Sequence, residues 1–264
     1  MSTSPEPPDE LAGTEQPFVS HLVELRDRLI RSCVAVGVCF ALLMVWPGSG
    51  GLYDLLAQPL VQHLPKGGTL IATSVISPFL VPLKITLMAA FMLALPVVLY
   101  QVWAFVAPGL YAHEKRLVLP LVVSSTLLFF LGVAFCYFFV FGKVFTFIQS
   151  FAPKSVSAMP DIEAYLSFVL TMFIAFGAAF EVPIVVVVLA RMGLVSIEKL
   201  KSFRSYFVVL AFIIAAVLTP PDVVSQSMLA LPLWILYEVG IIAAARVKPV
   251  GADADAETGI VPRI

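Results

Sequence analysis

The sequence predicts an all-α integral membrane protein with six transmembrane helices. Of its 264 residues 60% are hydrophobic and only 12% are charged, whereas a soluble domain carries about 25% charged residues. A helix needs about 20 apolar residues to cross the hydrocarbon core. Six apolar blocks approach or exceed that length, and they fall at residues 29–46, 79–107, 117–148, 164–190, 205–218 and 226–245. An even number of spans places both termini on one side of the membrane.

The basic residues indicate which side that is. Twelve of the sixteen lysines and arginines lie on the side that holds the termini, and four lie on the other side or near span ends. Because cytoplasmic loops carry an excess of Lys and Arg, we predict that the N and C termini are both cytoplasmic. The twelve are Arg26, Arg28, Arg31, Lys115, Arg116, Arg191, Lys199, Lys201, Arg204, Arg246, Lys248 and Arg263.

The chain divides into one membrane domain and two tails. Residues 1–16 are acidic and rich in proline, without the basic region of a signal peptide. We predict disordered cytoplasmic tails at 1–16 and 249–264, with the membrane domain spanning 17–248. No internal repeat supports the inverted-repeat architecture of many transporters.

An amphipathic helix is predicted to start at Pro17, before the first span. Its apolar stripe follows spacings of four, three and four residues, at Phe18, Leu22, Leu25 and Leu29. Glu24, Asp27, Arg28 and Arg31 lie on the opposite side, while Arg26 falls beside the stripe. We expect this helix to lie along the cytoplasmic headgroups and then turn into span one.

Two of the three predicted outer-face connections have distinctive sequences. Residues 52–64 are too short to span and carry polar side chains, which favours an interfacial helix broken at Pro59. A tight connection ending at Asp222 joins spans five and six. The fifth span is short, since 14 residues between Arg204 and Thr219 give about 21 Å of helix. Arg204 must therefore reach toward the surface, or the bilayer must thin locally. The sixth span is predicted to be short as well, with Pro232 inside it.

Glu181 is the single charge between Ala164 and Ala190. A carboxylate inside a span costs about 2.5–3.5 kcal/mol on insertion scales, so it normally faces a partner or water. One interpretation is a structural hydrogen bond to Ser or Thr of another span, or a protonated side chain. The other is a functional site inside the membrane, where Gln226 could face the same cavity. Pro183 is expected to bend the helix here.

Catalytic and metal chemistry find little support in the sequence. The three histidines lie in loops or at membrane edges without zinc-protease spacing, and no Gly-x-Ser-x-Gly elbow is present. We therefore predict no catalytic residues, no metal site and no cofactor. The cysteines, Cys33, Cys39 and Cys136, are interpreted as small buried residues within spans.

Three residues on the cytoplasmic side could bind a charged partner. Glu24 could instead form an exposed ion pair with Arg28, worth a few tenths of a kcal/mol. Glu114 could be a solvated loop acid beside Lys115, and Arg26 could anchor a lipid phosphate. The residues taken singly favour these simpler interpretations.

Several motifs in order resemble the TatC family, the core subunit of the twin-arginine protein translocase. The resemblance runs from about Pro17 to Arg246 and leaves only the tails outside it. The motifs are His21-Leu-Val-Glu-Leu-Arg-Asp-Arg-Leu29, Leu99 to Tyr111 with His113-Glu114, Tyr165 to Phe168, Phe176-Gly177, Phe180-Glu181-Val-Pro183, and Leu218 to Asp222 with Ser225-Gln226.

The resemblance implies recognition of signal peptides with paired arginines on folded precursors at the cytoplasmic membrane face. At the matching positions, Glu24 and Glu114 would accept the two guanidinium groups, and Arg26 would shape the same patch. Phe105 and Leu110 would contact the apolar stretch of the signal. A planar guanidinium pairs with both oxygens of a carboxylate, which explains a preference for arginine over lysine.

The resemblance also implies partners. Glu181, together with Gln226, would contact single-span subunits of the TatA and TatB type inside the bilayer. Further implications are a homo-oligomeric receptor complex in the bacterial inner membrane, export driven by the proton motive force, and no role for nucleic acid.

Two other classes of function remain open from the residues themselves. A secondary transporter could use Glu181 as a proton or cation site and would work alone in liposomes, whereas a translocase core needs its partner subunits. A purely structural scaffold would tolerate Glu114→Ala without losing precursor binding.

Overall fold

The computed structural model describes residues 12–53, 71–106, 115–150, 160–219 and 222–246, with side chains omitted at 12–19, 115–117, 148 and 149. Within these ranges the chain is helical apart from turns and one isolated bridge. The helices are α1 (Ala12–Val45), α2 (Ser77–Val106), α3 (Lys115–Phe135), α4 (Phe141–Ser150), α5 (Ile162–Phe180), α6 (Val182–Arg191), α7 (Ile197–Ser202), α8 (Arg204–Leu218) and α9 (Val223–Ala244). A single π turn, Cys136–Val140, joins α3 to α4.

The predicted all-α membrane fold is confirmed. Five continuous helical stretches are long and apolar enough to cross a bilayer, and α8 is a shorter apolar helix at the position of the fifth span. The five are Ser20–Val45, Ser77–Val106, Val118–Phe147, Ile162–Arg191 and Val223–Ala244. We call the end of the bundle with Arg28, Arg191 and Arg246 the basic end, and the end with Asp161 and Asp222 the distal end.

The first helix differs from the prediction. Residues Ala12–Val45 form one helix of 34 residues, which begins inside the predicted tail and continues without a turn into the first span. Leu22, Leu25 and Leu29 are between 42% and 60% exposed, so the apolar stripe faces away from the bundle. The prediction of a separate interfacial helix was therefore wrong. The apolar stripe on which it rested is the outer side of a helix that faces lipid.

Glycines bring α3 and α5 into close contact. A Cβ added at Gly132 would overlap the backbone carbonyl of Phe176, and one added at Gly177 would overlap the ring of Phe129. Apolar burial drives little helix association in lipid, so small residues that let backbones approach closely are favoured at such interfaces. This contact fixes the register between α3 and α5.

The fourth span is broken where the sequence predicted a bend. Helix α5 ends at Phe180, Glu181 adopts a turn, and α6 begins at Val182. Pro183 lacks the backbone N–H that would continue the hydrogen-bond ladder. Gly240 of α9 packs against the break, with its added Cβ position 3.0 Å from Pro183 Cα.

The short fifth span is confirmed at 15 residues, or about 22 Å of helix. The prediction of a short sixth span was wrong, because α9 continues through Pro232 for 22 residues and is long enough to cross a bilayer. The fifth span is tied to α9 at the basic end by a stacked pair, Phe207 and Tyr237, with ring centroids 3.9 Å apart. Arg204 there forms an ion pair of 2.8 Å with Glu238. The charged end of the short helix is thus neutralised by its neighbour.

A polar cluster at the distal end joins the segment before α2 to the start of α5. Asp161 Oδ2 accepts hydrogen bonds from the Thr73 hydroxyl (2.6 Å) and backbone N–H (3.1 Å), and Oδ1 accepts from two amides at the start of α5. Glu163 accepts from Ser77 and from Lys84, each at 2.7 Å. A charged lysine inside the second span therefore has its counter-ion on the fourth.

We predict that Gly132→Ala lowers the stability of the bundle, because the added methyl group meets backbone that cannot move independently. Overpacking of this kind costs about 1–3 kcal/mol. Thermal unfolding of the detergent-solubilised protein, followed by tryptophan fluorescence, would show a lower midpoint. Gly37→Ala is the matched control, since nothing lies within 4 Å of its added Cβ. Equal midpoints for the two variants would contradict the close α3–α5 contact.

We also predict that Asp161→Ala frees the segment at Ile71 and Thr73. The hydrogen bonds, those from Thr73 foremost, lower the pKa of Asp161 from 3.8 to about 2. The contribution of the Asp161 carboxylate to the stability of the fold is therefore constant above about pH 4 and is lost as the pH falls through about 2. Amide hydrogen exchange at neutral pH should be faster at Thr73 in Asp161→Ala than in the unaltered chain. Thr171→Ala, which removes a hydroxyl bonded within its own helix, should leave exchange unchanged.

Candidate functional site

The Glu24–Arg28 pair lies at the basic end, on α1. Arg28 Nε and Nη2 both donate to Glu24 Oε1, at 2.9 and 2.6 Å. The side chain of Glu24 is 41% exposed and that of Arg28 is 21% exposed. Arg28 also donates to Gln101 Oε1 of α2 at 3.4 Å. The i,i+4 ion pair considered for Glu24 is therefore present, and Arg28 faces α2 instead of lying on the free side of the helix.

Arg26 lies beside the apolar stripe of α1. Its side chain is 67% exposed, and it pairs with the carboxylate of Asp27 at 2.8 Å. The described residues give it no contact with Glu24. Because the apolar stripe is turned outward, the position next to the stripe is also outward.

Phe105 stacks on His21. The two ring centroids are 4.3 Å apart and the ring planes are inclined by 16°. This contact brings α1 and the end of α2 together next to Glu24, one turn along α1. Leu110 and Glu114 follow α2 in the chain and lie outside the described residues, as does Pro59.

Glu181 accepts a hydrogen bond from a serine of another helix, and that serine is in turn bonded to a tryptophan of a third helix. Ser125 Oγ of α3 donates to Glu181 Oε2 at 2.8 Å, and Trp103 Nε1 of α2 donates to Ser125 Oγ at 2.8 Å. Trp103 is 5% exposed and Ser125 is fully buried. The structural interpretation, a hydrogen bond to a serine of another span, is therefore realised in this structure.

One oxygen of Glu181 is left over. Oε1 is buried and accepts no hydrogen bond from the described residues. No lysine or arginine in the described part of the chain forms an ion pair with this carboxyl. A buried polar atom without a partner is rare in folded proteins. Glu181 is thus fixed through one oxygen and unsatisfied at the other.

Gln226 and Asp222 lie at the distal end, on α9. Asp222 caps this helix by accepting from Ser225 N–H at 2.7 Å. Gly240 packs beside Pro183, so Gln226 lies fourteen residues away along α9, about 21 Å. The expectation that Gln226 and Glu181 face one cavity was therefore wrong: the register of α9 against α6 separates them.

Ser125, Trp103 and Gln101 were missed by the sequence analysis. One chain gives no signal of which serine faces which acid. The polarity of the fourth span was the usable signal: the serine hydroxyl in the third apolar block and the indole N–H in the second are donors of the kind that a lone carboxyl requires.

The remaining features offer little for chemistry. An apolar cleft of about 930 Å³ lies between α1, α2 and α3, lined by Met88, Met92, Phe130 and Tyr137 among others, and Glu181 is not part of it. The described residues contain no cluster that could hold a metal ion. Cys136 is buried as expected, but Cys33 is exposed on α1, since that helix is largely lipid-facing.

Comparison with known proteins gives a consistent result. The family model for the Sec-independent protein translocase protein TatC matches residues 20–232. The TatC protein of Escherichia coli K12 is 50% identical over 226 residues, covering 86% of this chain and 87% of that protein. The TatC protein of Halothiobacillus neapolitanus is 53% identical over 227 residues, covering 86% of this chain but only 62% of that longer protein.

The solved structures agree with the sequence comparison. A crystal structure of the twin arginine translocase receptor TatC superimposes with a TM-score of 0.74 at 40% identity, and the match covers 85% of this chain and 98% of that one. The family-model match begins before Glu24 and runs past Glu181. The chain belongs to the TatC family of Sec-independent protein translocase subunits and is a multi-pass protein of the bacterial inner membrane.

Proposed function

We propose that this protein is the receptor subunit of a twin-arginine translocase, which binds paired-arginine signal peptides of folded precursors at the cytoplasmic face. The observation that supports this most is the exposed carboxylate of Glu24, which already holds a guanidinium. In this proposal the basic end of the bundle is cytoplasmic, as the distribution of lysine and arginine indicates.

Arg28 shows how a signal arginine would bind. Both of its bonds reach the same oxygen of Glu24, and the described residues leave Oε2 without a partner. An incoming guanidinium can bind Oε2, or replace Arg28, which retains Gln101 as an acceptor at 3.4 Å. A lysine ammonium is a point charge that cannot reproduce the two-bond geometry of the guanidinium.

The remaining contacts of the signal are assigned by position. Glu114 would take the second arginine, because it follows the end of α2 that packs on α1 through Phe105 and His21. Phe105 and Leu110 would contact the apolar stretch of the signal. Arg26 and Asp27 form an exposed pair beside this patch, and Arg26 would tune its charge without binding the signal arginines directly.

Inside the membrane, Glu181 is proposed to contact a polar group on the helix of a single-span partner subunit of the TatA or TatB type. Its unsatisfied oxygen supplies the reason, since in lipid such an atom is stabilised by any polar group that reaches it. Gln226 would form a separate contact near the distal end. We also propose that copies of this protein assemble into a homo-oligomeric receptor complex and that export is driven by the proton motive force.

We predict that a photo-crosslinking residue at position 114 captures a twin-arginine signal peptide. The crosslink should fall sharply when the two arginines are replaced by lysines, because the fork geometry is lost while the charge is kept. Quantitative crosslinking to purified protein in nanodiscs is the measurement. Two results would contradict this assignment of the arginine site. One is an equal crosslink yield with both peptides. The other is no crosslink at position 114 when a control position in the same protein does react.

Glu24→Gln should weaken binding of the same peptide by about 10- to 100-fold. Hydrogen bonds to charged groups are worth about 1.5–3 kcal/mol, and 1.4 kcal/mol is a factor of ten. Asp27→Asn is the matched control, because Asp27 is another exposed acid of α1 and is paired with Arg26. Titration with a fluorescent peptide measures both variants. Equal losses for the two would indicate a general effect of charge and argue against a specific role for Glu24.

A further inference from the structure

We propose that Trp103 and Ser125 are positioning residues that couple the intramembrane carboxyl of Glu181 to the end of α2 that carries the signal-binding patch. The inference rests on the proposed function, since it concerns communication between its two sites. It assigns a role to two residues outside both sites: they hold Glu181 in place until the end of α2 shifts.

The end of α2 contacts α1 and α3 on opposite sides. Gln101 and Phe105 are four residues apart, so they lie on one face of the helix, and they contact Arg28 and His21 of α1. Trp103 lies midway between them, about 200° around the helix, and bonds to Ser125 of α3. A ligand that displaces Arg28 or His21 therefore acts on the same two turns that hold Trp103.

Two hydrogen bonds link Trp103 to Glu181 through Ser125, and their direction is fixed. An indole N–H can donate but not accept, so Ser125 Oγ accepts from Trp103 and its single proton points to Glu181 Oε2. Both bonds are 2.8 Å long. Oε2 thereby accepts the serine proton. Losing the indole would leave the serine hydroxyl free to rotate away from Glu181.

Packing around the two bonds transmits displacement. Leu95, Leu99, Trp103, Phe129, Ile184 and Val188 form one buried apolar cluster across α2, α3 and α6. Such contiguous contacts carry coupling when the elements have two arrangements. Since α6 begins immediately after Glu181, a shift of Trp103 reaches the carboxyl both through the hydrogen bonds and through the cluster.

The carboxyl is also easy to release. Among the described residues Ser125 is the single donor to Glu181, and Oε1 has no partner. Leaving this position breaks one hydrogen bond, and a polar group on a partner helix would provide another. A group held by a single bond therefore responds to a small movement at α2, whereas a fully bonded carboxyl would not.

The test places a photo-crosslinking residue at Ala178, an exposed position three residues before Glu181. Crosslinking to the single-span partner subunit is measured in nanodiscs with a twin-arginine signal peptide, with its paired-lysine form, and without peptide. The variants are Ser125→Ala, Ser125→Thr and Trp103→Phe. Their matched controls are Ser124→Ala, whose hydroxyl bonds within its own helix, and Trp234→Phe, a tryptophan that is 39% exposed.

In the unaltered chain, the arginine peptide should change the crosslink yield at Ala178, and the lysine peptide should not. Ser125→Ala and Trp103→Phe should abolish most of that response while peptide affinity stays within about twofold. Ser125→Thr, which keeps the hydroxyl, should restore it, and both controls should respond like the unaltered chain. Retained peptide binding shows that the variants are folded.

Two outcomes would overturn the inference and are distinguishable. If Ser125→Ala and Trp103→Phe respond to the peptide as strongly as the unaltered chain, the two sites communicate without these residues. If the unaltered chain shows no partner crosslink at Ala178, or binds both peptides equally, the proposed function itself fails and the coupling fails with it.

Infrared difference spectroscopy provides a second readout that a purely structural role would not change. With carboxyl-labelled glutamate, the band of Glu181 is assigned by its loss in Glu181→Gln. Addition of the arginine peptide should shift this band in the unaltered chain and in Ser124→Ala, but not in Ser125→Ala. A peptide-induced shift of the same size in Ser125→Ala would contradict the proposed coupling.

Discussion

The absence of water in the hydrocarbon core governs the arrangement of polar groups in this bundle. Each polar side chain inside a span needs a partner within the protein, since an unsatisfied group in lipid costs several kcal/mol. Lys84 pairs with Glu163 on another span, and Arg204 pairs with Glu238. Glu181 meets the same requirement in part, through Ser125. The spans are therefore joined at the points where polar side chains occur within them, and Glu181, which is satisfied at only one oxygen, is the carboxyl proposed to exchange partners.

Close packing of α3 and α5 makes the Ser125 contact possible. Gly132 and Gly177 leave no room for a Cβ between the helices, so the two backbones approach further than larger residues would permit. Ser125 is two helical turns before Gly132, and Glu181 is about one turn after Gly177, which places them opposite each other in an antiparallel pair. A serine side chain is short, and only this spacing lets it donate to the carboxylate at 2.8 Å. The chemistry of the site thus depends on two glycines that take no part in it.

Composition and the length of apolar blocks were sufficient to predict the helices, because crossing a bilayer imposes a length and a polarity that a single sequence displays. The break near Pro183 was predictable for a similarly local reason. The outward direction of the apolar stripe on α1 was not, because the direction in which a helix faces depends on what surrounds it, and lipid reverses the rule for soluble helices. The separation of Gln226 from Glu181 depends on the register of α9, which Gly240 sets by contact with a distant segment. Trp103 and Ser125 were missed for the same reason: hydrogen-bond partners on different helices are determined by how the helices pack, and the sequence of one span does not specify that packing.

In the proposed function, selectivity for arginine would follow from the internal pair on α1. Because Glu24 is already bound by Arg28, a ligand that replaces Arg28 would have to compete with a guanidinium, and an ammonium that forms weaker, less directional bonds would be at a disadvantage before any other contact is made. Arg28 does not lose all its partners when displaced, since Gln101 lies at 3.4 Å. Its movement toward Gln101 would act on α2 directly, one half-turn from Trp103. In this proposal Arg28, which would make binding selective, is also the residue through which occupancy of the patch would reach the carboxyl inside the membrane.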